Sequence, residues 1–239
     1  MKIKRYLPIV LCLILVSCML SSCTSPENTG TPDSGFSVEQ VAYGSCKWGM
    51  TEEEVLQALS LSEDQVTDGG TDQSGGHAIQ VEWDQPVFGE EISAFILYFE
   101  SLEAYSDDPT LRLTGIQINY TEETSIEDIW DSVSQEYSQY PEFEIREKAT
   151  EKSAVWVQSR ETLYSSLTPS ANQAILALYQ SDPYTSYTEE GWQEELKGEP
   201  LVSVDFIPKP STAGFTHRIM IRGYNQQIAE IMNQRFPET

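Results

Sequence analysis

The sequence predicts an α+β fold built from two tandem units, each a helix–turn–helix followed by an antiparallel sheet. Three observations predict it: an internal repeat, helically spaced apolar residues opening each copy, and period-two alternation further on. Helices grouped apart from mostly antiparallel strands define this class. With 10% aromatic residues and five Trp, the chain can bury a real core.

The repeat appears when Trp48 is set on Trp156, an offset of 108, and followed without gaps for 19 residues. Trp48/Trp156, Glu53/Glu161, Leu59/Leu167, Ser62/Ser170 and Gln65/Gln173 are identical, and Thr51/Ser159, Val55/Leu163, Ser60/Thr168 and Asp64/Asn172 keep their chemistry. Thr51 and Ser159 are expected N-caps, since a hydroxyl can accept from an unpaired backbone N–H. Thr51 with Glu54 has capping-box spacing, and Met50 with Val55 has hydrophobic-staple spacing. Val55 and Leu59, like Leu163 and Leu167, share one helical face. Ser60 and Thr168 are expected to cap a second helix, with Pro169 at its first position. Gly69-Gly70 is expected to end that helix early in the first copy. In the second, Ala171, Ala174, Ile175 and Leu178 extend it.

Strands follow. His77, Ile79, Val81 and Trp83 alternate with more polar residues, and Ile92 to Phe99 reads as a central strand. Leu111 and Leu113 share one parity, while Ile116, Ile118 and Tyr120 share the other. Gly115 marks the switch, where a bulge would restore the facing. A helix capped by Ser125 presents Ile126, Ile129, Val133 and Tyr137 on one side. In the second copy Val202, Val204 and Phe206 alternate, then Ile219 and Ile221, then a helix through Ile228, Ile231 and Met232. Ile116-x-Ile118 before Ile126 and Ile129 is thus echoed by Ile219-x-Ile221 before Ile228 and Ile231, about 103 residues on. Phe143–Lys148 and Ala154–Gln158 are spaced for a hairpin between the copies. The predicted organisation is residues 1–22, 23–38, 39–150 and 151–239: a leader, a flexible tether and two repeat units.

The leader reading rests on Met-Lys-Ile-Lys-Arg followed by an apolar run from Leu7 to Leu20. This is the layout of a secretory signal peptide and too short to span a bilayer. Leu20-Ser21-Ser22-Cys23 resembles the bacterial lipobox. That resemblance implies cleavage before Cys23 and lipid on its thiol, hence a lipoprotein at the extracytoplasmic face of a cell membrane. Leu15-Val16-Ser17-Cys18 fits the pattern less well, because apolar Met19 and Leu20 follow it. Residues 24–38 are rich in Ser, Thr, Pro, Gly and Asn, as a spacer should be.

Beyond residue 22 lie all 38 acidic residues but only 11 of the 14 basic ones, a net charge near −27. Such a chain repels phosphate backbones, so nucleic acid is excluded as a partner. Asp64, Asp68 and Asp72 lack the Gly and closing Glu of a calcium loop. Once Cys12 and Cys18 leave with the leader and Cys23 is acylated, Cys46 stands alone and no internal disulfide can form.

Gly49-Met50-Thr51-Glu52-Glu53-Glu54-Val55 is similar to the "G-M-T-x-x-x-V" opening of small envelope domains. These include the BamE-like (SmpA/OmlA) lipoproteins and the tandem-repeat β-lactamase inhibitory proteins. The resemblance implies a non-enzymatic, protein-binding fold. The residues themselves offer little chemistry. His77 and His217 are the only histidines and are expected to be hydrogen-bonded structural residues; no cofactor or metal site is predicted. Gly44-Ser45-Cys46-Lys47-Trp48 resembles the papain-type Cys-Gly-Ser-Cys-Trp stretch, but Lys47 separates Cys from Trp and the first Cys is missing. Cys46 is expected to be buried and structural. Tyr179, Tyr184, Tyr187 and Trp192 are expected to pack over the sheet from a loop at 181–191. The reading adopted is a lipid-anchored protein- or peptide-binding module. The alternatives are an envelope hydrolase using Cys46 or acidic residues, and a structural or sensory envelope component.

Overall fold

Each predicted cap is a local cause, and the first is realised in full. The computed structural model describes residues 41–72, 75–121, 124–138, 144–148, 151–156, 163–208 and 217–238. A short hairpin, β1 (Val41–Tyr43) and β2 (Cys46–Lys47), leads into α1 (Glu52–Ala58). The Thr51 N–H donates to Glu54 Oε2 at 2.8 Å, and the Glu54 N–H donates back to Thr51 Oγ1 at 3.4 Å. Gly49, just before the cap, sits at φ +85°, and a Cβ there would lie 2.5 Å from Gln227 Oε1. Only glycine suits both conditions.

The second helix expected after Ser60 departs from expectation. It is a single 3₁₀ turn, Glu63–Gln65, entered at Ser62, which forms a capping box with Gln65. Ser60 caps nothing; it takes a left-handed turn at φ 58°. Gly69 and Gly70 end no helix either, because they lie inside β3 (Val66–Thr71), where the ladder to β4 (His77–Val81) bulges. A Cβ on Gly69 would meet the Ala78 carbonyl oxygen at 2.8 Å, so the pair serves a close strand approach. Thr168, by contrast, does cap, its Oγ1 accepting from the Ala171 N–H at 3.1 Å, with Pro169 in the first turn. Ser159 lies outside the described residues.

Then come β5 (Ile92–Glu100), α2 (Glu103–Ser106), β6 (Arg112–Tyr120) and α3 (Ile126–Tyr137). The expected bulge is present. Phe99 pairs with Leu113 and Tyr98 with Gly115, leaving Thr114 as the extra residue that keeps Leu113 and Ile116 on one face. Ser125 caps α3 as predicted. The predicted hairpin is β7 (Glu144–Lys148) with β8 (Glu151–Trp156). The chain continues as α4 (Leu163–Ser166), α5 (Pro169–Ser181), α6 (Glu189–Gly198), β9 (Val202–Pro208), β10 (His217–Arg222) and α7 (Tyr224–Arg235).

All these strands except β1 and β2 form one eight-stranded sheet in the order β3-β4-β5-β6-β10-β9-β8-β7, every pairing antiparallel. The class is therefore α+β. The strands with matching Ile-x-Ile patterns are direct neighbours at the centre, Ile116 opposite Ile221 and Ile118 opposite Ile219. The unit boundary expected after residue 150 falls inside the β7–β8 hairpin, and the described residues belong to one compact unit.

One face of the sheet is dry. Ile79, Phe95, Leu97, Phe99, Ile116, Ile118, Val204, Phe206, Ile219 and Ile221 pack beneath Val55 of α1 and Ile129, Val133 and Tyr137 of α3. A second core joins α2 and α4 to α7 through residues such as Tyr105, Leu163, Ile175, Trp192 and Met232, and contains no strand residue. The aromatic group expected over the sheet belongs to it instead. Tyr179 and Trp192 lie 4.7 Å apart and Tyr187 and Trp192 5.6 Å apart, between α5 and α6, while Tyr184 is 94% exposed. Among the described residues no helix is long and apolar enough to cross a membrane.

Candidate functional site

The other face of the sheet belongs to the residues of opposite parity. Register places Gln80, Ile96, Gln117, Met220 and Asp205 in one row across it, and Ala78, Tyr98, Gly115, Arg222 and Ser203 in the next. Asn119, Arg218 and Ile207 extend it. Neither hydrophobic core includes any of these side chains. Gln117, Asn119 and Met220 are buried all the same, and the polar members bond to one another. Tyr98 Oη donates to Gln117 Oε1 at 3.0 Å, and Gln117 Nε2 donates to Asn119 Oδ1 at 2.8 Å. Arg222 pairs with Asp205 at 3.1 Å, and Ser203 donates to the same carboxylate.

At one end the face deepens into a cleft of about 690 Å³. Tyr98, Gly115, Met220 and Ser203 contribute from the strands, while α2, Glu199–Leu201 and Tyr224 rise beside them. Tyr105 hydrogen-bonds to both Tyr224 and Tyr179, and burial holds its hydroxyl above the ordinary tyrosine range. Glu100 is the uncommon group here. Burial first, and then the charge of Asp72, raise its carboxyl above the usual value, against the opposing pull of Arg222. A concave mixture of phenols, a thioether, one guanidinium and a half-buried carboxylate can hold a polypeptide by packing and hydrogen bonds together. No known protein family, curated protein or solved structure matches this chain.

The residues singled out in the sequence lie elsewhere. His77 ties three elements together, with Nδ1 3.2 Å from Glu52 Oε2 and Nε2 3.1 Å from Asp68 Oδ1. Asp68 also accepts from the Gly70 N–H, and Asp72 from the Gly76 N–H, so these acids brace a hairpin. His217 opens β10 opposite Pro208. Among the described residues no group of three or more His, Cys, Asp or Glu is placed to hold a metal ion. Cys23 lies outside them.

Cys46 is fully buried in the sheet core, and burial pushes its thiol up to about 12. At pH 8 that leaves roughly one molecule in ten thousand as the nucleophilic thiolate. Iodoacetamide is therefore expected to leave Cys46 unmodified for hours in the native chain and to label it fully in urea, as read by peptide mass spectrometry. Rapid native labelling would restore the thiol-hydrolase alternative.

The open face was missed because each polar strand position, read alone, looks like ordinary solvent exposure. The signal was available in β10, where Arg218 and Arg222 flank the buried run Ile219–Ile221 and place two guanidinium groups on the face opposite Ile219 and Ile221.

Proposed function

We propose that this chain is a lipoprotein, anchored through Cys23 at the extracytoplasmic face of a membrane, whose folded part binds a protein or peptide. The binding surface is the open face of the sheet and its cleft. One observation carries this reading: the sheet gives its core only one face, and the other gathers Tyr98, Met220, Arg218 and Arg222, with Met220, Gln117 and Asn119 buried along its middle and Arg222 exposed. Tyr, Met and Arg are enriched where proteins meet, and these two arginines stand out on a chain carrying so much negative charge. The G-M-T opening supports a non-enzymatic binding role through its resemblance to BamE-like and β-lactamase inhibitory domains. For the anchor, the support is the lipobox at Leu20–Cys23, since each buried methylene of an acyl chain adds about 0.8 kcal/mol of membrane affinity.

Photo-crosslinking side chains at Gln80 and Arg222 are expected to trap the same partner in intact cells, and one at Glu127 on α3 to trap none. An identical pattern from all three positions would sink the surface assignment. Cys23→Ser is expected to abolish palmitate incorporation and release the chain from the membrane; a lipid-labelled product from that variant would refute the anchor.

A further inference from the structure

A separate pocket, also of about 690 Å³, opens on the helix-covered side beside β1. Its aromatic walls are Tyr43, Trp83, Phe88 and Tyr137. The rings of Trp83 and Phe88 stand at 74° and 77° to that of Tyr43, with centroids 6.2 and 6.1 Å away. Trp83 is braced from behind by stacking on Phe95 at 5.3 Å. A pocket lined by four aromatic rings offers π-surface that can attract a cation.

The described lining carries a single charged side chain. It is Glu136; burial first, and then the Glu136 charge, hold the Tyr43 hydroxyl above its usual range. Two helices also direct their C-terminal ends at the pocket: α1 through Ala58 and Leu59, α3 through Glu136 and Tyr137. Neither has a basic residue in its last turn. The negative ends of both helix dipoles therefore converge where the rings do.

One wall is held at a conformational cost. Phe88 and Gly89 form a tight turn with φ of +53° and +85°, closed by paired hydrogen bonds between Val87 and Glu90. Such a turn favours Asn, Asp or Gly at its first central position, not a bulky aromatic. Yet the Phe88 ring is kept, 6.1 Å from both Tyr43 and Tyr137. Strained residues gather at ligand clamps.

We propose that this pocket binds an organic cation bearing a trimethylammonium head. N-methyl groups suit the rings and Leu59, and the diffuse charge suits Glu136 and the helix ends, without the hydrogen bonds that a primary ammonium demands.

The test titrates the purified full chain, in a non-ionic detergent free of choline, with choline and with its neutral isostere 3,3-dimethyl-1-butanol. Indole fluorescence and the ring-proton shifts of Trp83 report binding. Choline is expected to saturate the site and the alcohol to bind about tenfold or more weakly. Phe88→Asn is the informative variant, because asparagine suits the left-handed turn and the fold is retained while the wall is lost. It is expected to weaken choline about tenfold with an unchanged circular dichroism spectrum. Competition by phosphatidylcholine vesicles would identify the lipid headgroup as a source; no competition would leave a free solute. Equal affinity for the alcohol and choline, no saturable choline binding, or full affinity in folded Phe88→Asn would each overturn the proposal.

Discussion

Gly223→Ala is expected to destabilise the fold by roughly 3 kcal/mol, although it adds one methyl group to an ordinary backbone conformation. Gly223 precedes α7 at φ −111°, which alanine tolerates, so the cost is not conformational. It comes from Trp48. A Cβ on Gly223 would lie 2.2 Å from Cδ2 of that indole, and the ring is only 6% exposed. Retreat is blocked on the chain side, because the next residue, Gly49, is held by its N–H to Leu113 O at 3.1 Å and by Arg112 on its carbonyl. Gly223 is equally fixed, donating to Thr114 O at 3.0 Å. The clash thus sits where the Trp48-Gly49 segment meets the start of α7. Urea denaturation of a double-mutant cycle checks the cause. In a Trp48→Leu background the added methyl is expected to cost about 1 kcal/mol or less. An equal penalty in both backgrounds would show that the indole is not responsible.

That contact also explains which parts of the fold could be read from the chain. Interactions closing within a few residues were legible: the Thr51–Glu54 box, the Thr168 cap with Pro169, the Ser125 cap and the parity switch at Gly115. Each is set by local backbone needs that a short window contains. Ser60 and Gly69-Gly70 failed for the opposite reason. A glycine pair has the same local look whether it stops a helix or lets β3 bulge against Ala78, and the deciding atom is a partner on another strand. The aromatic group near α6 was visible as a group but placed over the wrong layer, since nothing local says that α5 faces α6 rather than the sheet. The candidate sites were the least legible. The second face needs β6 beside β10, strands about a hundred residues apart, and the aromatic pocket needs Tyr43, Trp83 with Phe88, and Tyr137 brought together from three segments. Even so, the matched Ile-x-Ile patterns that pointed to a repeat are the two strands that pair.

Two neighbours on β9 should respond very differently to the same truncation, and the contrast tests the one-sided sheet on which the proposed binding surface depends. Phe206 is 1% exposed, packs edge-on to Trp130 at 4.8 Å and lies in the row of Ile219. Phe206→Ala removes a ring from a close-packed layer that can only partly collapse, so a loss of about 3–5 kcal/mol is expected. Ile207 points the other way, beside Arg218, on the face that neither core uses. Ile207 is partly exposed and belongs to neither core, so its truncation removes fewer buried contacts, and Ile207→Ala is expected to cost about 1 kcal/mol or less. Both values come from urea midpoints at constant m, which keeps a change in the unfolded ensemble from passing as a change in packing. If the two penalties were equal and large, Ile207 would be covered in the free protein, and the face would not be free to receive a partner. If Ile207→Ala left stability intact but lowered crosslinking from Arg222 in cells, the same side chain would be contributing nothing to folding and something to recognition.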